Sequence, residues 1–415
     1  MKVAFLAVGD ELLTGRLSDQ HLPRVGRDLA ARGYFLVRSG LVPDREEDIV
    51  QALDEAAAAG HEVLLVTGGL GPTPDDVTRQ AIGRWAGVPL DRDMGAAEDI
   101  RKRLRARGRE ATAVDLLQAM VPRGAECLSN PVGTACGFRL ALSGRPELWV
   151  LPGVPGEFRR MWQELVLPRL AGPGGGAGAL AVLRTSGAGE REIADMLAEL
   201  GSRTGVRLGT YAGEGEVEVH LALRDPGGPE VSQHLSQLVL EATDCLGDLL
   251  HGHGEDTLAD AVARRLLARG ENLATAESVT GGLLASLLTD VPGSSRWFLG
   301  GAVAYSVAHK VDQLGLSAEL VAREGHVSPV VSLEMARRTR ILHQATWGLA
   351  STGWAGPSAG KPGEVPGRVH LAWVGPGNVT RTWTLDFPGS DRSVVKLRAA
   401  KAALRGLWLA LGEQG

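Results

Sequence analysis

Short apolar runs that end directly in glycine-containing polar loops are the feature of this sequence that most restricts its fold. The runs 3–8 and 63–66 each have the length and composition of a strand buried on both faces. Amphipathic segments alternate with them, as where Ile49, Leu53 and Ala56 recur at helical spacing after three acidic residues. This alternation predicts a doubly wound α/β domain, whose ligands gather at the carboxyl ends of the strands.

Length and two breaks in the pattern divide the chain. A chain of 415 residues exceeds what one hydrophobic core usually serves, so two or three domains are expected. The glycine-rich stretch 172–178 suits neither a helix nor the core of a strand and is predicted to be a linker. A second linker is predicted at His251-Gly-His253-Gly, in preference to a metal site, because no third ligand is evident nearby. The expected domains are 1–170, 178–250 and 255–415.

The second and third domains have patterns of their own. The second has a small α+β pattern: a helix over Ile193, Met196, Leu197 and Leu200, an alternating strand over 217–223 and a further helix. The third is again α/β. Its last helix is predicted to bury the stripe Val394, Leu397, Leu404 and Trp408.

Composition and charge restrict the partners. The chain is 44% hydrophobic and 22% charged, with a formal net charge of -5, so neither direct nucleic-acid binding nor an anionic membrane partner is expected. Its three cysteines show no metal-type spacing and no even disulfide set. No stretch approaches the ~20 apolar residues that a membrane span requires. We therefore expect a cytoplasmic protein.

A serine stands where a predicted strand ends and a predicted helix begins. Ser278 follows the segment 272–276 and precedes Gly281-Gly282, and the helix is predicted to run from Gly281 to Thr289. The N–H groups at a helix N-terminus lack intrahelical partners and can stabilise an oxyanion, so Ser278 is a candidate nucleophile. The alternative is an N-cap without a catalytic role, because serine is favoured there whatever the function.

A lysine and a hydroxyl-rich loop follow two other predicted strands. Lys310 comes shortly after the apolar run 300–304, where it could share a cleft with Ser278. A lysine can deprotonate a serine only if burial lowers its pKa from ~10.4 towards ~7–8, and the alternative is an ordinary solvated lysine. The loop from Ser351 to Pro357 offers a hydroxyl and backbone amides of the kind that recognise phosphate or a carboxamide.

Four motifs, in this order, resemble the C-terminal domain of the CinA (competence/damage-inducible) family, the nicotinamide mononucleotide deamidase. They are Glu277-Ser278-x-Thr280-Gly281-Gly282, Tyr305-Ser306 with Lys310, Thr352-Gly353-x-Ala355-Gly356-Pro357, and Gly389-x-Asp391-Arg392. The resemblance covers about residues 255 to 412. It implies hydrolysis of nicotinamide mononucleotide to nicotinate mononucleotide and ammonia with no cofactor, and a homodimer is expected from the family.

The resemblance also implies roles for the matched residues. Ser278 is expected to attack the carboxamide carbon with Lys310 as the base, while Thr280 and the amides of Gly281 and Gly282 support the nucleophile and the oxyanion. Tyr305 is expected to be a catalytic residue, and Thr352 and Gly353 are expected to bind the substrate. Arg392 is expected to bind the 5′-phosphate, a task that its planar fork suits better than a lysine.

Four polar loops in the first part of the chain have the composition of phosphate and cation sites. They are Val8-Gly9-Asp10-Glu11 with Gly15, the loop from Thr67 to Thr78, Asn130-Pro-x-Gly133-Thr134, and Leu151-Pro152-Gly153-Val154-Pro155. Glycine-rich strand ends let backbone amides approach phosphate, and nearby carboxylates can hold a hard cation against it. For Asp75 and Asp76, capping of the helix that follows is an equally good interpretation for either residue alone.

Together these loops resemble the molybdopterin-binding-like domain at the front of CinA proteins, over about residues 1 to 168. The resemblance implies ADP-ribose pyrophosphatase activity that depends on a divalent cation of the Mg, Co or Mn type. The residues expected at the metal are Asp10, Glu11, Asp75 and Asp76, and those expected at phosphate are Gly68, Gly69, Gly71 and Thr73. A KH- or ferredoxin-like domain between the two enzymatic domains also fits the family.

Some positions depart from the family pattern, and other functions compete. The departures are Asp19 and His21, where asparagines are common, and Val307 and Trp354 in the third domain. One competing hypothesis is a nucleotide- or pterin-binding scaffold with decayed active sites that assists competence or recombination proteins. Another is an enzyme of molybdopterin synthesis. The presence of Ser278, Lys310 and Arg392 favours the enzyme of pyridine nucleotide salvage.

Overall fold

The computed structural model describes residues 1–171, 180–223, 230–358 and 364–412. The linker predicted at 172–178 lies outside these residues. Compactness divides the chain into two units, one of residues 1–180 with 223–234 and one of residues 181–222 with 235–415. No helix in the described part of the chain is both long and apolar enough to cross a membrane.

The first unit is built around a six-stranded sheet of order β2-β1-β3-β8-β7-β6. The strands of this unit are β1 (Val3–Val8), β2 (Leu36–Val42), β3 (Val63–Thr67), β4 (Leu90–Arg92), β5 (Met120–Pro122), β6 (Glu126–Leu128), β7 (Gly137–Leu140) and β8 (Glu147–Leu151). Its helices are α1 (Asp10–Leu13), α2 (His21–Ala30), α3 (Glu46–Ala58), α4 (Thr78–Ala86), α5 (Met94–Ala106), α6 (Pro155–Met161) and α7 (Leu167–Ala171). Strands β2, β1, β3 and β8 run parallel, and at one edge β7 pairs antiparallel with β8 and β6 pairs antiparallel with β7. Strands β4 and β5 form a separate two-stranded sheet.

The inner strand β1 shows why this sheet is covered on both faces. All six of its residues are buried. Ala4, Leu6 and Val8 belong to one hydrophobic cluster and the residues between them to another. Because successive side chains of a strand point to opposite faces, the two clusters lie on opposite sides of the sheet. The predicted doubly wound domain is confirmed, and its polar loops follow the carboxyl ends of β1, β3 and β8.

The second unit begins with a small four-stranded sheet of order β10-β11-β9-β12. Its strands are β9 (Leu180–Thr185), β10 (Val206–Ala212), β11 (Val217–Leu223) and β12 (Leu250–His253), and its helices are α8 (Glu190–Met196), α9 (Ala198–Gly201) and α10 (Glu230–Leu246). This is the predicted small α+β domain. The single helix predicted over 193–200 is instead two short helices, and Met196 at the end of α8 is largely exposed.

The predicted linker at His251-Gly-His253 is wrong. These residues form β12, which pairs antiparallel with β9. His251 is buried, with Nε2 3.2 Å from the carboxylate of Glu216. The alternation of histidine with glycine does not have the apolar pattern of a buried strand, and the buried His251 packs edge-on against Trp408, with ring centres 6.4 Å apart.

The remaining part of the second unit is a five-stranded sheet of order β14-β13-β15-β16-β17. Its strands are β13 (Leu273–Glu277), β14 (Phe298–Val303), β15 (Trp347–Gly353), β16 (Arg368–Val374) and β17 (Thr380–Asp386). Its helices are α11 (Leu258–Arg269), α12 (Leu283–Thr289), α13 (Val307–Asp312), α14 (Ala318–Glu324), α15 (Pro329–Leu342) and α16 (Arg392–Gly412). Since β13 is parallel to both β14 and β15, the carboxyl ends of these three strands meet at one edge.

The long helix α16 packs in the core of this domain and also holds the small domain. It buries Leu404 and Trp408 as predicted, but Val394 and Leu397 are only half-buried, because Val395 is the fully buried residue of that turn. Three basic side chains farther along the helix reach the small domain. They are Arg398, 2.6 Å from Glu214, Lys401 on Glu216, and Arg405, 3.0 Å from the Ser186 carbonyl.

Candidate active sites

Ser278 is the first residue after β13, at the edge where three parallel strands end. Its N–H donates to the Ser351 carbonyl of β15 at 2.9 Å, which extends the β13–β15 pairing by one residue. The chain then turns through Gly281 and Gly282, both with positive φ (61° and 94°), before α12 begins at Leu283. The helix therefore starts two residues later than predicted, because these glycines adopt left-handed conformations that do not belong to a helix.

Glu277, the residue before Ser278, holds this turn in place. Its side chain is only 1% exposed, and its two oxygens accept N–H bonds from Gly282 (2.9 Å), Leu284 (3.0 Å) and Ala285 (2.8 Å). These are the N–H groups that a helix start leaves without partners. The carboxylate thus takes the place of an N-cap and fixes the loop that carries Ser278. Glu277 stands in the first C-terminal motif, but the motif does not indicate this role.

The expected oxyanion donors need correction. The N–H of Gly281 donates to the Ser278 carbonyl at 3.2 Å, and that of Gly282 donates to Glu277. Both amides are therefore already used within the loop. Among the described residues no acceptor faces the N–H groups of Val279 and Thr280. These two amides, directly after the serine, are the ones left to meet an oxyanion.

Lys310 is a buried amine at this same edge. It lies in α13, just after β14, and its side chain is 1% exposed. Its Nζ donates to the His326 carbonyl at 2.9 Å and to Thr352 Oγ1 at 3.4 Å, and no hydrogen bond joins it to Ser278 Oγ. Burial lowers the pKa of Lys310 to about 8. Of the two interpretations weighed for this lysine, the structure supports the buried one.

The hydroxyl groups predicted around Ser278 lie close by but bond to one another. Thr280 Oγ1 and Ser351 Oγ are 2.6 Å apart and fully buried. Thr352 lies one residue beyond Ser351 and contacts Lys310. Because Ser278 is bonded through its backbone to Ser351, a continuous set of contacts runs from the serine through β15 to the lysine.

Tyr305 and Arg392 meet at the solvent side of this edge. Tyr305 is 56% exposed, and its hydroxyl accepts a hydrogen bond from Arg392 Nη2. Arg392 Nη1 donates to the Gly356 carbonyl at 3.0 Å. Arg392, the first residue of α16, therefore braces two loops of the site.

The other predicted residues of this domain have local packing roles. A Cβ at Gly353 would lie 2.6 Å from the Arg368 carbonyl of β16, so a side chain is excluded by sheet packing. Trp354, which departs from the family pattern, packs edge-on against His326, with ring centres 5.2 Å apart. Val307 is a partly exposed residue at the start of α13.

Lys396 is a basic residue beside this loop that the sequence analysis missed. A Cβ at Gly281 would lie 3.6 Å from Lys396 Nζ, so the ammonium group lies over the turn that follows Ser278. It is one helical turn after Arg392 on α16, the spacing at which two side chains share a helix face. That spacing was the available signal in the sequence.

In the first unit, the loop after β3 forms one wall of a cleft of about 870 Å³. A Cβ would clash with Val8 O at Gly68 (2.1 Å) and with Thr78 Oγ1 at Gly69 (2.1 Å), so the loop needs glycine at both positions. The N–H of Gly68 donates to Leu151 O and that of Gly71 to Asp76. Of the three predicted phosphate-binding glycines, only Gly69 keeps its N–H without an acceptor among the described residues.

Asp76 was expected to bind the metal, but its carboxylate instead holds the loop together. Its oxygens accept from the N–H of Gly71 (2.6 Å) and from both the N–H (2.9 Å) and the hydroxyl (2.5 Å) of Thr73. The Thr73 hydroxyl expected at phosphate is thus also engaged. Below the loop, the buried Arg79 guanidinium donates to Leu70 O at 2.6 Å, and burial lowers its pKa.

Asp44 joins the expected carboxylates at the cleft. It accepts the N–H of Asp10 at 2.8 Å. Burial and the negative charges of Glu11, Asp10 and Asp75 raise the pKa of Asp44, against the lowering effect of that hydrogen bond. Asp10, Glu11 and Asp75 are exposed. Within the described ranges, no three His, Cys, Asp or Glu side chains are arranged to hold a metal ion.

The two departures in the first unit have structural explanations. The carboxylate of Asp19 accepts the N–H groups of His21 (2.9 Å) and Leu22 (3.0 Å) at the start of α2. His21 is buried, stacks on Phe158 with ring centres 4.1 Å apart, and places Nε2 2.8 Å from the Gly153 carbonyl. Both residues therefore shape one wall of the cleft.

Comparison with known proteins gives matches along the whole chain. Family models match for a CinA C-terminal domain (residues 255–411), a probable molybdopterin binding domain (4–172) and a damage-inducible protein CinA KH domain (181–252). A CinA-like protein of Anaeromyxobacter dehalogenans is 39% identical over 99% of this chain and 100% of its own. A putative competence-damage inducible protein of Moorella thermoacetica is 36% identical over 100% of both chains. A solved CinA superfamily structure from Enterobacter cloacae is 34% identical over 38% of this chain and 94% of its own, with a TM-score of 0.36.

Proposed function

The chain belongs to the CinA family, and on that premise we propose that its C-terminal domain hydrolyses nicotinamide mononucleotide to nicotinate mononucleotide and ammonia. Ser278 is the nucleophile and Lys310 the base in this proposal. The observation that carries it is the burial of Lys310 in contact with Thr352, at the strand edge where Ser278 lies, with its pKa lowered to about 8. A general base that acts near neutral pH requires a lowered pKa of this kind, and a buried lysine at the edge where polar loops meet is a candidate for that role.

In the first half of the reaction, the neutral amine of Lys310 takes the proton of Ser278 Oγ as the oxygen attacks the carboxamide carbon. The carbonyl electron pair moves onto oxygen, where the N–H groups of Val279 and Thr280 are the available donors. Collapse of this intermediate breaks the C–N bond. The proton held by Lys310 passes to the leaving nitrogen, and ammonia departs.

In the second half, water attacks the ester on Ser278 and gives its proton to Lys310. The ester C–O bond breaks, Lys310 returns the proton to Ser278 Oγ, and the acid that forms releases its remaining proton to solvent and leaves as the carboxylate. Nζ must exchange its present acceptors, the His326 carbonyl and Thr352, for Ser278 Oγ during this cycle. Catalytic hydrogen bonds of this kind commonly form only once substrate is bound.

For the N-terminal domain we propose ADP-ribose pyrophosphatase activity with a divalent cation of the Mg, Co or Mn type. The open cleft, the free Gly69 amide and the carboxylates of Glu11, Asp44 and Asp75 support a pyrophosphate ligand. These carboxylates do not form a complete metal site by themselves. A magnesium-type cation often uses one or two carboxylates together with substrate phosphates, so in this proposal the cation enters with its substrate. The homodimer stays a prediction.

The pH dependence of ammonia release tests the role of Lys310. Only the neutral amine can accept the serine proton, so kcat/KM is expected to rise with pH and level off above the Lys310 pKa of about 8. Below that pH the rate should fall about tenfold per unit, because the neutral fraction does so. If kcat/KM instead rose with an apparent pKa of ~10, the range of a solvated lysine, Lys310 could not be the proposed base. A flat profile from about pH 6 to 10 would contradict the proposal as well.

A further inference from the structure

The basic side chains of α16 differ in whether they have partners. Arg398 and Lys401 pair with Glu214 and Glu216 of the small domain, and Arg405 donates to the Ser186 carbonyl. Arg392 donates to Tyr305 and to the Gly356 carbonyl. Of the basic residues of this helix, Lys396 alone has no hydrogen-bond or ion-pair partner within the described ranges.

The ammonium group of Lys396, which has no partner among the described residues, lies over the turn that follows Ser278. Its Nζ lies 3.6 Å from where a Cβ on Gly281 would be, three residues beyond Ser278. Its side chain is half-buried, so its charge is less well hydrated than that of an exposed lysine. Glu277, the one carboxylate of the nucleophile loop, accepts three backbone N–H bonds and forms no ion pair with Lys396 within the described residues. A half-buried cation without a counter-ion calls for an anionic ligand.

We infer that Lys396 is the principal cation for the phosphate monoester of the substrate and selects nucleotides over nucleosides. This inference rests on the proposed deamidase function. It assigns the phosphate contact to Lys396, whereas Arg392 was the residue expected there. Arg392 was expected to bind phosphate through its fork, but two of its nitrogens already brace Tyr305 and Gly356. Lys396 keeps three donors free for phosphate oxygens.

This assignment separates binding from chemistry. Lys396 lies on α16, whereas Ser278, Lys310 and the free amides of Val279 and Thr280 lie at the strand ends and in the loop. A phosphate contact made equally in the ground state and the transition state lowers KM and leaves kcat unchanged. Lys396 is therefore a specificity-determining residue and takes no part in the proton transfers.

The test compares ammonia release from nicotinamide mononucleotide and from nicotinamide riboside, which has the same carboxamide and no phosphate. The test variants are Lys396→Met and Lys396→Arg. The control is Lys102→Met, which removes the same charge from an exposed position of another helix. For Lys396→Met we expect KM for the mononucleotide to rise about tenfold or more, the cost of one charge-assisted hydrogen bond. Its kcat should stay within about twofold, the riboside constants should not change, and Lys396→Arg should recover most of the loss.

Two results would overturn the inference while leaving the deamidase intact. One is an equal loss on both substrates, and the other is an unchanged KM for the mononucleotide. If the wild type releases no ammonia from either compound, the proposed function fails. The subsite is then tested alone by calorimetric titration with nicotinate mononucleotide: weaker binding to Lys396→Met than to Lys102→Met supports it, and equal binding overturns it. If Lys396→Met does not fold, the shorter but still uncharged Lys396→Gln replaces it in both assays.

Discussion

At the C-terminal site Lys310 and Glu277 are buried and bonded to their surroundings, whereas at the N-terminal cleft most of the expected carboxylates are exposed. Lys310 and Glu277 are each 1% exposed, one with a lowered pKa and the other bonded to three amides. Asp10, Glu11 and Asp75 instead line or adjoin an open cleft. The difference follows from the chemistry proposed for each site. A lysine base needs burial to lose its proton near neutral pH, while cation-binding carboxylates must stay charged.

The largest expected effect comes from replacing Lys310. For Lys310→Met we expect ammonia release to fall by about 10²–10⁴-fold, the usual contribution of a general base. ADP-ribose hydrolysis should persist, because no residue of the proposed N-terminal site is changed. Both activities of one preparation are measured, with Lys102→Met as the control. Parallel loss of both would mean that the two sites are not independent, and retained ammonia release would remove Lys310 from the mechanism.

Removal of divalent cations should affect the other activity, ADP-ribose hydrolysis, and leave ammonia release unchanged. Chelation is expected to lower ADP-ribose hydrolysis about a hundredfold or more, since a bound cation contributes several kcal/mol of charge stabilisation. Ammonia release should be unaffected, because Lys310 and backbone amides supply that chemistry. Readdition of Mg, Co or Mn ions should restore the first activity. Cation-independent cleavage of ADP-ribose would contradict the proposal for the cleft.

A smaller effect, on the free energy of unfolding, should distinguish Glu277 from Asp76, the two carboxylates that fix the loops. Glu277→Gln is expected to lower the free energy of unfolding of the C-terminal domain by about 1–3 kcal/mol, because buried N–H groups lose a charged acceptor. Asp76→Asn should cost less, since Asp76 is more exposed. Denaturant unfolding of both variants measures the comparison. An equal or reversed order would show that burial is not what separates the two loops.

Much of this organisation is readable in the sequence, and the parts that are not have physical causes. The strand at 63–66 and the serine after 272–276 were predictable because parallel strands are apolar and end in glycine-rich turns. The position of Lys310 at this strand edge followed from its place after a strand, but its burial depends on packing. Asp44 was missed because β2, which precedes it, is an edge strand with exposed residues and lacks an apolar run.

Other parts of the sites depend on contacts between distant or unpatterned groups. Glu277 acts on amides up to eight residues ahead through a turn whose shape no periodicity reveals. The family resemblance implied that the amides of Gly281 and Gly282 support the oxyanion, but the Gly282 N–H donates to Glu277. Lys396 is brought to Gly281 by the docking of α16, which follows from three-dimensional packing alone.

The most direct test of the central claim is ammonia release from nicotinamide mononucleotide in the presence of a chelator, by the wild-type protein and by Ser278→Ala. Ser295→Ala, a change at an exposed serine, is the matched control. The account predicts release by the wild type and the control, and loss to background in a Ser278→Ala protein that unfolds at the same denaturant concentration. Equal release by Ser278→Ala and the wild type, or none by a folded wild type, would contradict it.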